Sequence, residues 1–164
     1  DVVGAWKRAE EFAVQVKQSG FTRFPLARFF ILIAQGFAGL LALRHPDPQL
    51  PDPAALKKTI QDSIRGLAKM KQGSSWAVCA HMEAALAAWS GETEAALVHL
   101  ADAEQRFTAF DQKLYALSCA VHAAQLRGED TAPMMARLAE AGSRDPVAWL
   151  RAYAPTFPAT TRSK

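Results

Sequence analysis

Between Trp76 and Phe110 two apolar-periodic segments meet at Ser90-Gly91-Glu92 with no residues to spare for a loop. The first reads W-A-V-C-A-H-M-E-A-A-L-A-A-W and the second T-E-A-A-L-V-H-L-A-D-A-E-Q-R-F-T-A-F. In the second, Ala96, Leu100, Ala103, Phe107 and Phe110 recur at alternating spacings of four and three, the signature of a helix with one buried stripe. In the first, Met82, Leu86 and Trp89 form one stripe and Ala77, Ala80, Ala84 and Ala87 another, so that helix is expected to touch neighbours on two sides. A single glycine joining two such segments predicts a tight antiparallel helical hairpin.

Composition points the same way. Ala is one residue in five and Asn is absent, while Val, Ile and Thr are sparse. Ala loses no side-chain entropy in a helix, whereas β-branched residues do. The break also repeats: Gly91 aligned on Gly128 gives a period of 37 residues, placing Ala84-Ala85 on Val121-His122 and Ala87-Ala88 on Ala124-Gln125. Leu43-Arg44-His45 is read as the matching break upstream.

The expected architecture is all-α, an α-solenoid of antiparallel helical hairpins with about eight helices in a single domain over residues 1–157. A leading helix over 5–18 is stopped by Ser19-Gly20. Helical pairs follow over about 25–72, 75–110 and 112–142, then a capping helix over 145–154 that Pro155 ends, and a polar tail over 158–164. Asp52 as N-cap with Pro53 behind it starts the helix that runs to about Lys71, and Gly73-Ser74-Ser75 is expected to end it and cap its successor. Asp111 is expected to cap the helix carrying Leu114, Leu117 and Val121. The loop from His45 to Pro53 is stiffened by its prolines.

The most apolar segment follows Pro25. Its uncharged run from Phe29 to Leu43 is 15 residues and holds Gln35, Gly36 and Gly39, short of the roughly 20 apolar residues of a membrane span. It is read as a helix buried on most sides, with the glycines admitting a close neighbour, and no membrane span is expected.

Charge is uneven. Residues 1–72 hold 11 Lys/Arg against 6 Asp/Glu, and residues 73–164 hold 8 against 10. A basic first half suits a nucleic-acid backbone or an acidic partner, but Lys57, Lys58, Arg65, Lys69 and Lys71 also fit the solvated face of one helix, and nucleic acid ranks below protein as a partner. With two cysteines and no secretion signal, the expected compartment is the reducing cytoplasm. The chain begins at Asp1 without a Met and reads as a piece of a longer protein.

Cys79-x-His81 and Cys119-x-x-His122 fall on the first helices of successive pairs and place two thiols and two imidazoles in reach of a zinc geometry. Neither spacing is that of a finger or ribbon, and Cys is often simply buried. The sequence does not decide whether the four converge. No nucleophile-base-acid set, phosphate loop or dinucleotide fingerprint occurs, so no catalytic residue, cofactor or metal is assigned. Trp6, Trp76, Trp89 and Trp149 are read as core or end anchors.

The Gly-Glu turn, Ala96-Leu97 after it, Leu100 and Ala103 down the second helix, and Ala84 and Ala87 on the first resemble the tetratricopeptide repeat (TPR) family. The likeness covers about residues 22–142 and is densest over 76–129. The period exceeds that family's 34 residues and no proline closes the hairpin near Thr108. More narrowly, A-L-V-H-L-A-D-A-E-Q-R-F, L-Y-A-L-S-C-A-V-H-A-A-Q-L-R-G-E-D and the ending D-P-V-A-W-L-R-A-Y-A-P-T-F are similar to regions C-terminal to the catalytic domain of bacterial serine/threonine protein kinases. No kinase motif is present in this chain. The resemblance implies a non-catalytic scaffold for a protein or peptide partner within bacterial signalling. The groove it implies is lined by Gln35, His81 and Ser118 at matching depth, with Tyr115, His122 and Gln125 nearby. A nucleic-acid-associated region of a transcriptional regulator and a self-association module are the competing readings.

Overall fold

The computed structural model describes residues 1–70, 73–153 (without the side chains of 152 and 153) and 157. Among these the chain is all-α, with eight α-helices and one short 3-10 turn at Phe21–Arg23. The helices are α1 (Val2–Gln18), α2 (Pro25–Arg44), α3 (Pro53–Ala68), α4 (Gly73–Trp89), α5 (Thr93–Ala109), α6 (Lys113–Arg127), α7 (Ala132–Glu140) and α8 (Pro146–Tyr153). Each packs chiefly on its chain neighbours, and α2 also packs on α4, a pattern consistent with stacked helical hairpins. Lys71, residue 154, Pro155 and the tail over 158–164 lie outside the described residues.

One turn is used four times. At Gly91, Asp111, Gly128 and Gly142 the backbone has positive φ (82°, 54°, 71° and 108°). In each case that residue's N–H donates to the carbonyl three residues back and the next N–H donates five residues back. Gly91 N–H reaches Ala88 O at 3.2 Å and Glu92 N–H reaches Ala87 O at 2.9 Å. Asp111 N–H reaches Thr108 O at 3.0 Å and Gln112 N–H reaches Phe107 O at 2.9 Å. This is the Schellman arrangement, which satisfies carbonyls the ending helix leaves open. Asp111 therefore does not cap α6 as expected; it supplies the left-handed residue, and Gln112 is the N-cap. The break at His45 is of another kind, with φ −124° leading into the proline loop. Gly73, Ser74 and Ser75 lie within the first turn of α4 rather than before it as its cap.

α4 is the central helix. Ala77 through Met82 are all buried, as are Ala84, Ala85 and Ala87, so it is enclosed by neighbours beyond the two stripes. α2 reaches it through the expected glycines. A Cβ on Gly36 would stand 2.5 Å from Met82 Cε, and one on Gly39 would stand 2.8 Å from Ile60 Cγ1 of α3. The two tryptophans at the ends of α4 are about two-fifths exposed, yet each donates to a carbonyl of a neighbouring helix end. Trp89 Nε1 donates to Leu43 O at 3.1 Å, and Trp76 Nε1 to Ala68 O at 3.4 Å.

α2 departs from its expected burial. Residues 21–30 contain no buried side chain, and Phe21, Phe24, Leu26 and Phe30 are each more than half exposed. Of these first turns only Ala27 and Phe29 are half-buried, Phe29 against the main core, while Gly36 to Leu43 supply most of the buried half. By length and composition α2 is apolar enough to cross a membrane. Its second half is instead packed on α3 and α4, as in a core helix. A second, smaller core of Val121, Leu138 and Leu150 joins α6, α7 and α8.

Candidate functional site

His81 sits midway along α4 with 1% of its surface exposed. Four rings surround it. Phe37 of α2 and Phe107 of α5 meet it edge-on at 5.9 and 6.4 Å between centroids. His122 of α6 lies at 5.9 Å, and Phe157, beyond the last helix, stacks on it at 5.7 Å. The same Phe157 ring stacks on His122 more closely, at 4.2 Å and 16°. Side chains from α2, α4, α5 and α6, with Phe157, thus converge in one buried ring cluster.

Both imidazoles are buried and neutral. Burial pushes His81 down to about 4. For His122, burial first, then the neighbouring His81, lowers it to about 3. Nδ1–H of His122, in the tautomer this pairing assigns, donates to Gln125 Oε1 at 2.9 Å, which leaves Nε2 as an acceptor. Nε2 of His122 and Nε2 of His81 are both buried without a hydrogen-bond partner. A buried polar atom left unpaired costs about 1–3 kcal/mol.

Of the six residues expected to line a groove, His81, His122 and Gln125 come together here. Ser118 and Tyr115 gather one turn away around Trp149: Ser118 Oγ accepts from Trp149 Nε1 at 3.0 Å and donates to Leu114 O at 2.7 Å. Tyr115 stacks on Phe107 at 5.3 Å and meets Trp149 edge-on at 5.4 Å. Gln35 is half-buried on α2 and joins neither group. His81, Ser118 and His122 are not open to solvent, since rings cover them: Phe157 and Phe37 on one side, Trp149 on the other. Sequence reasoning marked the polar positions and missed the rings that close over them. For Phe157 the only signal was the Ala-Pro-Thr-Phe ending.

The cysteines take no part. Cys79 Sγ donates to Ile64 O at 3.4 Å, and burial raises its thiol to about 11. Cys119 is fully buried, and burial pushes it well above the ordinary thiol range. Among the described residues no group of three or more His, Cys, Asp or Glu stands close enough to hold a metal ion. What the cluster offers is ring faces and, in the assigned tautomer, the lone pair of His122 Nε2.

Two of the three cations on α3 have partners. Arg65 pairs with Asp62, and the Lys57 ammonium lies 4.4 Å from the centre of the Trp89 ring.

No protein-family model matches the chain. No curated protein and no solved structure is similar to it.

Proposed function

We propose that the chain is a non-catalytic interaction region that holds a protein or peptide partner on the face carried by α2, α4 and α6. The observation that supports this is the convergence of His81, His122 and Gln125 beneath that face, in a buried ring cluster that fixes the helices relative to one another. A face whose side chains are held by packing beneath it suits partner recognition, because little ordering remains to be done on binding. Its terminal motifs, similar to those C-terminal to bacterial serine/threonine kinases, place it in our reading beside such a signalling enzyme in the cytoplasm. The two unpaired cysteines suit that compartment.

Site-specific photocrosslinking tests the reading. A crosslinker in place of Gln35 or Gln125 should capture a discrete partner in cells, whereas one in place of the exposed Val98 on α5 should not. Equal capture from all three positions, or none, would sink it.

Self-association is a second reading, favoured by the exposed Phe21, Phe24, Leu26 and Phe30. Contiguous exposed apolar surface of this kind marks contact sites.

A further inference from the structure

We infer that the projecting turn between α1 and α2, together with the first turns of α2, is a peripheral attachment site for an anionic lipid surface. The inference goes beyond the partner reading and does not depend on it.

Three observations carry it. The turn is exposed and bulky. Every residue from Lys17 to Leu26 is exposed, and Phe21, Phe24, Leu26 and Phe30 each leave more than half of their surface to solvent. The Phe21 and Phe24 rings are 5.6 Å apart between centroids, and Leu26 and Phe30 stand four residues apart on one side of α2, so the four form an apolar tip.

The tip is also ringed by charge of one sign. Residues 12–46 hold Lys17, Arg23, Arg28 and Arg44 and no Asp or Glu. Lys17, Arg23 and Arg28 are exposed, and none of the ion pairs among the described residues involves them.

The neighbouring helices keep that sign. α3 runs antiparallel to α2, with Ile60 beside Gly39 and Gly66 beside Leu32, which brings the exposed Lys69 at its end to the level where α2 begins. The last acid on α3, Asp62, lies about two turns back and pairs with Arg65. The last acid on α1, Glu11, lies more than a turn before Lys17, and α4 carries no acid before Glu83.

An apolar tip that sinks into the headgroup boundary, beside cations that face lipid phosphates, is the chemistry of a bilayer surface contact. The arginine and lysine stems lie along the apolar layer while their charged heads stay among the phosphates. A second copy is a poorer occupant, because a two-fold contact uses the same patch on both molecules and sets one cationic rim against the other. α2 does not cross the bilayer in this arrangement; its second half stays packed on α3 and α4.

The test is co-sedimentation of the full 164-residue chain with vesicles of phosphatidylcholine alone and of phosphatidylcholine mixed equally with phosphatidylglycerol. The chain should bind the anionic vesicles at least about tenfold more tightly than the neutral ones, and added salt should shrink the difference. Phe24→Ser with Phe30→Ser should weaken binding to the anionic vesicles by at least about tenfold. Arg23→Gln with Arg28→Gln should weaken it by about 25-fold, at roughly fivefold for each cation near the surface, and flatten the salt dependence. Val98→Ser, at an exposed site on α5, should change nothing. Binding to neither vesicle, equal binding to both, or unchanged affinity in either double variant overturns the inference. So does a lipid-free dimer, seen by sedimentation velocity, that Phe24→Ser with Phe30→Ser dissolves, since the occupant is then a second copy. Far-UV circular dichroism should show every variant folded. If the serine pair loses its helical signal, Phe21→Ser with Leu26→Ser replaces it, and loss there too makes the tip part of the core and ends the inference.

Discussion

His81 and His122 stay neutral because their surroundings give an imidazolium nothing to pair with, and this has a pH consequence. Both have folded values below the ordinary 6.5, so the unfolded chain binds more protons as pH falls from about 6.5 towards 4. Their contribution is therefore complete above that range and lost through it, by at most about 1.4 kcal/mol per imidazole per pH unit. Replacing His81 with Phe removes one titrating group and one unpaired nitrogen while keeping a ring in the box. Thermal melts should show this variant gaining on the parent chain more at pH 5.5 than at pH 7.5; an equal gain at both values would contradict the assignment. The cysteines make a simpler case. Cys119 is fully buried with a raised thiol value and should not react with a thiol reagent until the chain is unfolded, whereas Cys79, at the floor of a cleft beside Trp76 and Arg106, should react slowly. Rapid labelling of Cys119 in the native protein would show that α6 opens.

Among the helices, the recurring Schellman turn decides where each ends, and its four instances are not equivalent. Gly91, Gly128 and Gly142 take positive φ without a steric penalty, whereas Asp111 carries a Cβ into that region at φ 54°. Asp111→Gly should raise stability by about 0.5–1 kcal/mol, and Gly128→Ala should lower it by about 1 kcal/mol, both read from denaturant midpoints. Opposite signs would mean that the turns are not what holds the helix ends. Gly39 acts differently, by close approach. An alanine there must push Ile60, which is itself fully buried, so Gly39→Ala should destabilise by about 1–3 kcal/mol. Glycine punctuation made two of these turns visible from the residues, and with them the hairpin period. Asp111 was hidden because Asp is also a common helix cap, and nothing local separates the two roles. Gly142 was hidden because the helix before it is short.

For the whole molecule, burial is uneven in a way that bears on association. The central α4 is enclosed, while the corner from Phe21 to Phe30 presents four large apolar side chains to solvent. Phe24→Ser with Phe30→Ser should leave the melting temperature within about 2 °C, since exposed positions contribute little to stability. If that corner mediates self-association, the double variant should sediment as a monomer at concentrations where the parent chain does not. The all-α class and the order of the helices follow from the residues alone, because apolar spacing, Ala content and glycine breaks are local properties that act within a turn or two of helix. The exposure of α2's first turns, the enclosure of α4 and the burial of His81 and His122 do not follow from the residues. They depend on which helices come to lie side by side, and on a single ring, Phe157, distant in sequence from the imidazoles it covers. Local periodicity tells which side of a helix is apolar; only the packed molecule determines whether a polar residue on that helix meets water or another ring.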